Sequence, residues 1–365
     1  AELDLGEGEL DVVLKNGDIS LRDISIISDN NFVQASGEII QKEIISIDKI
    51  LMAYNSHYLA LPKPFVISIK NGDVSIEPFI IHLDDGVIEG VLDVDPDIDG
   101  RIRLSNVDGG FINNFLQENK MDLSGLIFGE IGFKKTNSDQ SFSIDLTVKN
   151  GKFYKQIFND LIIEAMIKDN IIHIENFALT SEDKTAFYFT GSIPFNRKKS
   201  KTSAVFESHF TFLDIEIMNQ FYPDWLPVTG MVSGEFNLIR NSDGPVYNFN
   251  LYVDEGYYDM IYLGNIKSSG YYKDKLITFN SLSAKNSNGN ITGYAKLPID
   301  LDIDSNHIGE KVFEKEVDLR FNGRFNHMDF ITEYVSSVDS LRGQVNIDLS
   351  ITGPWNNLTR SGSIS

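Results

Sequence analysis

The stretch that decides the fold is SLRGQVNIDLSITGP, Ser340–Pro354. In it the apolar residues Val345, Ile347, Leu349 and Ile351 alternate with polar ones. Strict alternation of this kind is typical of a β-strand that has one apolar and one polar face. The stretch therefore predicts a strand, and it raises the question of what covers the apolar side.

The same alternation recurs along the whole chain. The apolar positions of the five other clearest segments are Leu10, Val12 and Leu14; Phe65, Ile67 and Ile69; Phe142, Ile144, Leu146 and Val148; Tyr247, Phe249, Leu251 and Val253; and Val317, Leu319 and Phe321. Together with the four residues of the first stretch, these positions are our predicted lining of one continuous apolar face. The pattern predicts an all-β fold built on an antiparallel sheet.

Turn-forming pairs follow many of these segments. Asparagine before glycine favours the positive φ angles that a tight hairpin turn requires. We therefore predict turns at Asn16-Gly17, Asn71-Gly72, Asn150-Gly151, Glu255-Gly256 and Asn322-Gly323.

Helical patterning is confined to short interruptions of the strand pattern. Apolar residues spaced for one helix face occur in Gly109–Glu118, Leu213–Tyr222 and Met328–Val335, and Ile47–Tyr54 is a further candidate. Each segment makes only two or three helical turns, which is too short to cover a sheet that runs the length of the chain.

Glycines mark an internal repeat. Gly125, Gly230 and Gly343 each begin a fresh pair of strands after a helical interruption and lie roughly 100 residues apart. Because no Pro/Ser/Gly-rich linker separates the repeats, we predict one continuous sheet over residues 1–365, with approximate repeats at 1–108, 109–212, 213–326 and 327–365.

Composition and charge exclude several functions. The net charge of −21 argues against binding to nucleic acid and against electrostatic docking on an anionic membrane surface. The chain has no cysteine and no apolar run of the ~20 residues that span a bilayer. We expect it to be a piece of a longer protein whose anchor lies outside the given sequence.

One acidic segment has the spacing of a calcium loop. Asp95, Asp97 and Asp99 occupy its first, third and fifth positions and Gly100 its sixth, although Asn106 stands where a bidentate glutamate belongs. An acidic turn between strands explains the segment equally well, so Asp95, Asp97 and Asp99 are a weak calcium candidate.

No motif of catalysis or of cofactor binding stands out. The six histidines are scattered without metal-binding spacing, and Ser233 in GMVSG misses the nucleophile-elbow pattern. We therefore predict a protein that is not an enzyme and that needs no cofactor.

The glycine-and-strand unit resembles the AsmA-like superfamily, and within it the TamB family most closely. The residues that carry this resemblance are GMVSGEFNL at 230–238, NITGYAKLP at 290–298, Leu341–Gly343 and Gly362–Ile364. It implies an elongated, taco-shaped β-sheet with an open apolar groove, in a periplasmic bridge that moves phospholipids between the inner and outer membranes and supports outer-membrane biogenesis. It also implies an inner-membrane anchor and an outer-membrane barrel partner of the TamA/BamA type.

Energetics favour a lipid occupant for an uncovered apolar face. A two-chain lipid has roughly 30 methylenes, so that crossing water unaided would cost on the order of 20 kcal/mol. Self-closure and sheet-on-sheet packing are the other ways to cover the face. The functional alternative is a non-enzymatic structural or adhesive β-protein of the cell surface.

Overall fold

The structure is a computed structural model of the chain. It describes residues 7–28, 31–54, 57–70, 73–94, 97–113, 123–136, 139–153, 156–181, 184–194, 203–215, 228–241, 244–259, 261–302, 309–327 and 342–365. The chain divides into two compact units, Ala1–Asp183 and Lys184–Ser365, which we describe separately as the first and the second unit.

The first unit is an antiparallel sheet with one short helix among its described residues. Each strand pairs with the next along the chain, except that β4 pairs with both β5 and β6, and β5 pairs with β7. The elements are β1 (Glu7–Lys15), β2 (Asp18–Ser28), β3 (Asn31–Ile40), β4 (Ile44–Tyr54), β5 (His57–Ala60), β6 (Phe65–Lys70), β7 (Asp73–Leu83), β8 (Gly86–Val94), β9 (Ile98–Asp108), α1 (Gly109–Asn113), β10 (Leu123–Lys135), β11 (Gln140–Phe153), β12 (Gln156–Lys168) and β13 (Ile171–Ser181).

The second unit continues the same architecture, and every strand pairs antiparallel with the one that follows it. Its elements are β14 (Lys184–Pro194), β15 (Ala204–Asp214), β16 (Val228–Asn241), β17 (Gly244–Tyr258), β18 (Ile261–Lys273), β19 (Leu276–Asn286), β20 (Gly289–Leu297), β21 (Glu316–His327), β22 (Arg342–Pro354) and β23 (Thr359–Ile364). The predicted all-β class, an antiparallel sheet with very little helix, is confirmed.

Strand β11 shows how alternation becomes two different faces. Ile144 and Leu146 are half-buried, whereas the intervening Ser143 and Asp145 are exposed. Because successive side chains of a strand point to opposite sides, the serine and the aspartate lie on the wet face. The other side of the sheet is the apolar face of the first unit, and the second unit likewise has a wet face and an apolar face.

One predicted helix is a strand. The segment Ile47–Tyr54 belongs to β4. In the β3–β4 pair, Ile47 opposes Gly37 and Lys49 opposes Ser36, so one residue of β4, Asp48, has no opposite residue on β3. The extra residue of this bulge places Ile47 and Ile50 on the same side of the strand, and their spacing of three residues resembles that of a helix face.

The other helical predictions lie partly or wholly outside the described residues. Of Gly109–Glu118, only Gly109–Asn113 is described, and it is helical. Leu213 and Asp214 end β15, Ile215 after them has a 3₁₀ conformation, and residues 216–222 and all of Met328–Val335 lie outside the described residues.

Three of the predicted turns lie inside strands. Asn16-Gly17 does form a turn, and Asn71-Gly72 lies outside the described residues. Asn150-Gly151, Glu255-Gly256 and Asn322-Gly323 lie within β11, β17 and β21. Asn150 and Glu255 both have a φ of 49°, which is the left-handed conformation that the sequence predicts. Here that conformation distorts a continuing strand locally and does not end the strand in a turn.

The three repeat glycines share one backbone conformation. Gly125, Gly230 and Gly343 have φ angles of 121°, 134° and 125°. Each lies where its strand shifts register against a neighbour, in β10, β16 and β22. Side chains other than hydrogen rarely tolerate such angles, which explains why glycine recurs there. The repeat boundaries themselves stay a prediction, and the two units divide within the segment predicted as 109–212.

Candidate functional site

The apolar face of the first unit carries an unbroken row of apolar residues from edge to edge. Each member opposes the next in the strand register. The row, which we call the first long row, consists of Leu14, Ile19, Ile39, Ile45, Ile67, Ile76, Leu92, Gly100, Phe133, Phe142, Ile167 and Ile172. It crosses twelve strands without a polar side chain.

The second unit has a corresponding row across ten strands. The second long row consists of Phe187, Phe210, Gly234, Leu251, Ser268, Leu282, Gly293, Phe321, Leu349 and Gly362. Ser268 is its one polar member. Aromatic side chains are more frequent here than in the first long row, which is mainly isoleucine.

Both long rows are only half-buried. From Ile19 to Ile172 every member of the first long row except the buried Gly100 retains part of its solvent exposure, and every member from Phe187 to Leu349 does so in the second. Their neighbours in the row cover their flanks, but no second layer of described residues seals them from above. Contiguous apolar surface of this extent is unusual on a folded protein, which makes the two long rows the candidate site.

The apolar face of the first unit is closed along one side. A parallel row of five residues, Val107, Ile127, Val148, Leu161 and Leu179, is almost fully buried, each with 4% exposure or less. Helix α1 follows β9 directly at this side, and Gly109 at its start lies against Ser124 and Gly125 of β10. On the apolar face of the first unit, this row of five is therefore sealed from solvent, whereas the first long row is partly exposed.

An aromatic cluster closes the equivalent side of the second unit. Phe206, Leu238, Tyr247 and Tyr272 are 9%, 5%, 5% and 1% exposed. The rings of Tyr247 and Tyr272 stack with their centroids 5.0 Å apart. Leu301 packs against this cluster from the β20–β21 connection, of which residues 298–302 and 309–315 are described and which we call the strap.

Hydrogen bonds hold the strap on the cluster. The Leu301 amide donates to the Tyr272 hydroxyl at 2.9 Å, and the Tyr247 hydroxyl donates to the Leu301 carbonyl at 2.8 Å. Burial raises the pKa of Tyr272 to about 12, since desolvation and the nearby carboxylates of Asp300 and Asp302 outweigh the opposing hydrogen bond from Leu301. The phenol therefore stays protonated and donates to Asp300 at 3.5 Å.

Ion pairs fix the charged end of the strap. Asp300 is 2% exposed and its Oδ2 lies 2.9 Å from the Lys275 ammonium, a hydrogen bond that raises the pKa of Lys275. Asp302 pairs with Arg240. The Trp355 indole donates to the Pro298 carbonyl at 2.8 Å, so that the ring anchors the strap. A buried carboxylate with these partners is a structural device and has no access to a substrate.

Every predicted lining residue lies in a strand, and register places each segment on the apolar face. The half-buried ones are Ile67, Ile69, Phe142, Ile144, Leu146, Phe249, Leu251, Leu319, Phe321, Val345, Ile347, Leu349 and Ile351. Phe65, Val148, Tyr247, Val253 and Val317 are buried core residues, none more than 9% exposed. Leu10, Val12 and Leu14 belong to the edge strand β1 and are 66%, 39% and 74% exposed, so a neighbouring strand encloses them on one flank only.

Sequence reasoning missed how glycines shape this face. Gly90, Gly191, Gly270 and Gly293 each oppose a phenylalanine on the adjacent strand, namely Phe79, Phe206, Phe249 and Phe321. A Cβ on any of the four glycines would come closer to the opposing ring than real side chains approach, for example 2.5 Å from Phe321 Cδ1 at Gly293. The rings therefore lie across the glycines, an arrangement that stabilises glycine positions in sheets.

The calcium candidate does not form a binding loop in the described residues. Asp95 lies outside them, β9 begins at Ile98, and Asp99 is an exposed strand residue that opposes Asp93. Nowhere in the described part of the chain do three potential metal ligands come together.

Among the described residues of the first unit, a histidine–aspartate pair is the one close acid–base contact that resembles a catalytic dyad. His57 Nδ1 lies 2.7 Å from Asp84 Oδ2, and the Tyr58 amide donates to Asp84 Oδ1 at 2.7 Å. Burial raises the pKa of Asp84, but the hydrogen bonds and charge of these partners outweigh it and hold the pKa below its usual value. No nucleophile is hydrogen-bonded to His57 among the described residues, so the pair connects β5 to the β7–β8 turn.

Comparisons of the chain with family models, with curated proteins and with solved structures find no match. Within the described residues, no helix combines the length and the apolar character needed to cross a bilayer.

Proposed function

We propose that the apolar face binds phospholipid acyl chains and that the chain is part of a periplasmic bridge for phospholipid transport between inner and outer membranes. The observation that carries the proposal is the pair of half-buried long rows, because they present continuous apolar surface that no layer of the described residues covers. The resemblance to the AsmA-like superfamily supports the same assignment.

The dimensions of the first long row suit acyl chains. At ~4.8 Å between neighbouring strands, twelve strands span roughly 50 Å. One leaflet contributes about half of the ~30 Å hydrocarbon core of a bilayer, so a row of this length exceeds the acyl chains of one lipid several times. Several lipids can therefore lie along the row in succession.

The chemistry of the row suits movement rather than tight binding. Nine of its twelve members are leucine or isoleucine and none is polar, so a methylene gains about 0.8 kcal/mol on leaving water at most positions along the row. Similar affinity at each step avoids deep wells that would stop a moving lipid. The wet face and the turns carry the polar groups, and the lipid head group stays in solvent.

The proposed partners follow from the resemblance. They are phospholipid acyl chains, an outer-membrane barrel protein of the TamA/BamA type, and an inner-membrane anchor in the full-length protein. We propose no nucleic-acid partner, since the chain carries 53 acidic against 32 basic residues.

Lipid loading tests the proposal directly. The chain is produced in a Gram-negative host and purified, and bound phospholipid is extracted with organic solvent and quantified by mass spectrometry. Ile144→Asp and Leu251→Asp place a charge on the apolar face of β11 and β17, and they should reduce loading on the order of tenfold because a carboxylate cannot share an apolar site.

The adjacent residues supply matched controls. Ser143→Asp and Asn250→Asp place the same charge on the same strands, but on the exposed wet face, and should load as the unchanged chain does. Absence of phospholipid from the unchanged chain, or equal loading in both pairs of variants, would show that the apolar face is not the lipid site.

A further inference from the structure

The wet face of the second unit contains a cleft that the lipid proposal does not use. It has a volume of about 680 Å³ and is formed by strands β17, β18, β19 and β20. Its lining consists of Asn250, Tyr252, Asn265, Lys267, Ser283, Lys285, Asn290 and Thr292, together with Leu251, Ala284 and Ile291, which lie between them along the strands. Pockets of this size hold small organic ligands.

Strand register explains why a depression forms there. Tyr252, Lys267, Ser283 and Thr292 oppose one another in sequence across the four strands. The two small side chains, Ser283 and Thr292, thus lie beside the long side chain of Lys267. The small residues form the floor, and the longer residues form the rim.

A second row brings cations and amides together. Asn265, Lys285 and Asn290 are successive cross-strand partners, and Arg324 and Asn346 continue the row on β21 and β22. Each cation in this row is flanked by side-chain amides rather than by acids. Opposite charges are the usual stabilising cross-strand partners, as Arg103 and Glu130 are in the first unit at 3.2 Å.

The cleft is cationic in a strongly acidic chain. No carboxylate lines it, and within the described residues neither Lys267 nor Lys285 forms an ion pair. Lys267 lies over the ring of Tyr252, 5.9 Å from its centroid. The Tyr252 hydroxyl contacts Asp254 at 3.5 Å, which places that carboxylate beside the cleft and not within its lining.

We propose that this cleft binds an acidic saccharide, a sugar that carries a carboxylate or a phosphate. The ammonium groups of Lys267 and Lys285 supply charge-assisted hydrogen bonds to the anionic group. The amides of Asn250, Asn265 and Asn290 offer donors and acceptors together, as sugar hydroxyls require. The Tyr252 ring adds a flat apolar surface for a sugar ring.

Isothermal titration calorimetry on the full chain tests the proposal. The probes are glucuronate, N-acetylneuraminate and glucose 6-phosphate, with glucose and inorganic phosphate as comparators. We expect at least one acidic sugar to bind more tightly than both comparators. Lys285→Gln and Lys267→Gln should each weaken that binding on the order of tenfold, because each removes one charge-assisted contact.

Two further variants complete the design. Ser283→Trp fills the floor of the cleft and should abolish binding, whereas Lys296→Gln removes an exposed lysine of β20 outside the cleft and should leave affinity unchanged. Failure of all three acidic sugars, a comparator that binds as tightly, or equal sensitivity to Lys296→Gln would overturn the proposal. The lipid-loading test measures bound phospholipid and uses none of the variants named here, so a failure of sugar binding leaves its outcome unchanged.

Discussion

Replacing Gly90 with alanine tests whether aromatic rings across glycines determine the packing of the apolar face. Gly90 in β8 opposes Phe79 in β7, and a Cβ there would lie 2.5 Å from Phe79 Cε1. All three nearest atoms belong to the Phe79 ring and none to the backbone. The ring also packs on Phe65, with the centroids 5.2 Å apart, so it has little room to withdraw.

The expected magnitude follows from two opposing effects. Forcing a methyl group against a packed ring costs about 1–3 kcal/mol of unfolding free energy. Alanine is otherwise favoured over glycine in a strand by about 0.5–1 kcal/mol, because it loses less backbone freedom on folding. Gly90→Ala should therefore destabilise the unchanged chain, but it should be neutral or stabilising in a Phe79→Leu background, with a coupling of about 2 kcal/mol.

Urea unfolding followed by far-ultraviolet circular dichroism measures the four members of this cycle. Tryptophan fluorescence serves as an internal reference, since Trp225 and Trp355 both belong to the second unit. Gly293→Ala with Phe321→Leu is the matched control. There a Cβ would also meet the Arg320 carbonyl oxygen, which is backbone and cannot withdraw, so removing the ring should not rescue stability.

Additive effects of Gly90→Ala and Phe79→Leu would refute the reasoning. So would an equal recovery of stability at Gly90 and at Gly293 when the opposing phenylalanine is replaced by leucine. At Gly90 an added Cβ meets only the Phe79 ring, whereas at Gly293 it also meets backbone. Either result would mean that glycine is present for a reason other than the ring.

Two further predictions concern hydrogen bonds that hold a connecting segment on the sheet, at the strap and at the β7–β8 turn. Tyr272→Phe leaves the Leu301 amide without its acceptor and should lower the unfolding free energy of the second unit by about 1–3 kcal/mol. Trp355 fluorescence during urea unfolding measures this change. An unchanged unfolding midpoint would contradict the stabilising role of the strap. The pKa of Asp84 is lower in the folded chain than its ordinary value of 3.8, so its carboxylate stabilises the first unit above that pH, and the contribution is lost as pH falls through the lowered pKa. Asp84→Asn should therefore flatten the acid side of the stability–pH curve of circular dichroism melts, and an unaltered acid slope would count against it.

The strands and their faces could be predicted from the sequence because alternation depends on neighbouring residues only. In β11, Ile144 and Leu146 on one side and Ser143 and Asp145 on the other are enough to define both faces. The same local rule failed in β4, where one bulge residue puts Ile47 and Ile50 on the same side of the strand although they are three residues apart. A bulge is decided jointly with the partner strand, and one strand's sequence does not contain that information.

The closed sides of the face could not be predicted. Asp300 appears in the sequence as one acid among many, and its burial depends on Tyr272 and Lys275, which belong to other parts of the chain. The glycine–ring pairs are similar, because register decides that Phe321 opposes Gly293. The cleft on the wet face also depends on register, since it assembles isolated polar residues from four strands into one lining.

The long rows also constrain how the chain can change in length. Inserting one residue just before Ile144 in β11 would turn every side chain beyond that point to the other side of the sheet. Ile144 would then face water, and Asp145 would point into the apolar face. Insertions and deletions should thus be tolerated in hairpin connections, or as two-residue steps that preserve parity. Bulges such as the one at Gly125 are where a single-residue change in length can be absorbed without inverting the strand.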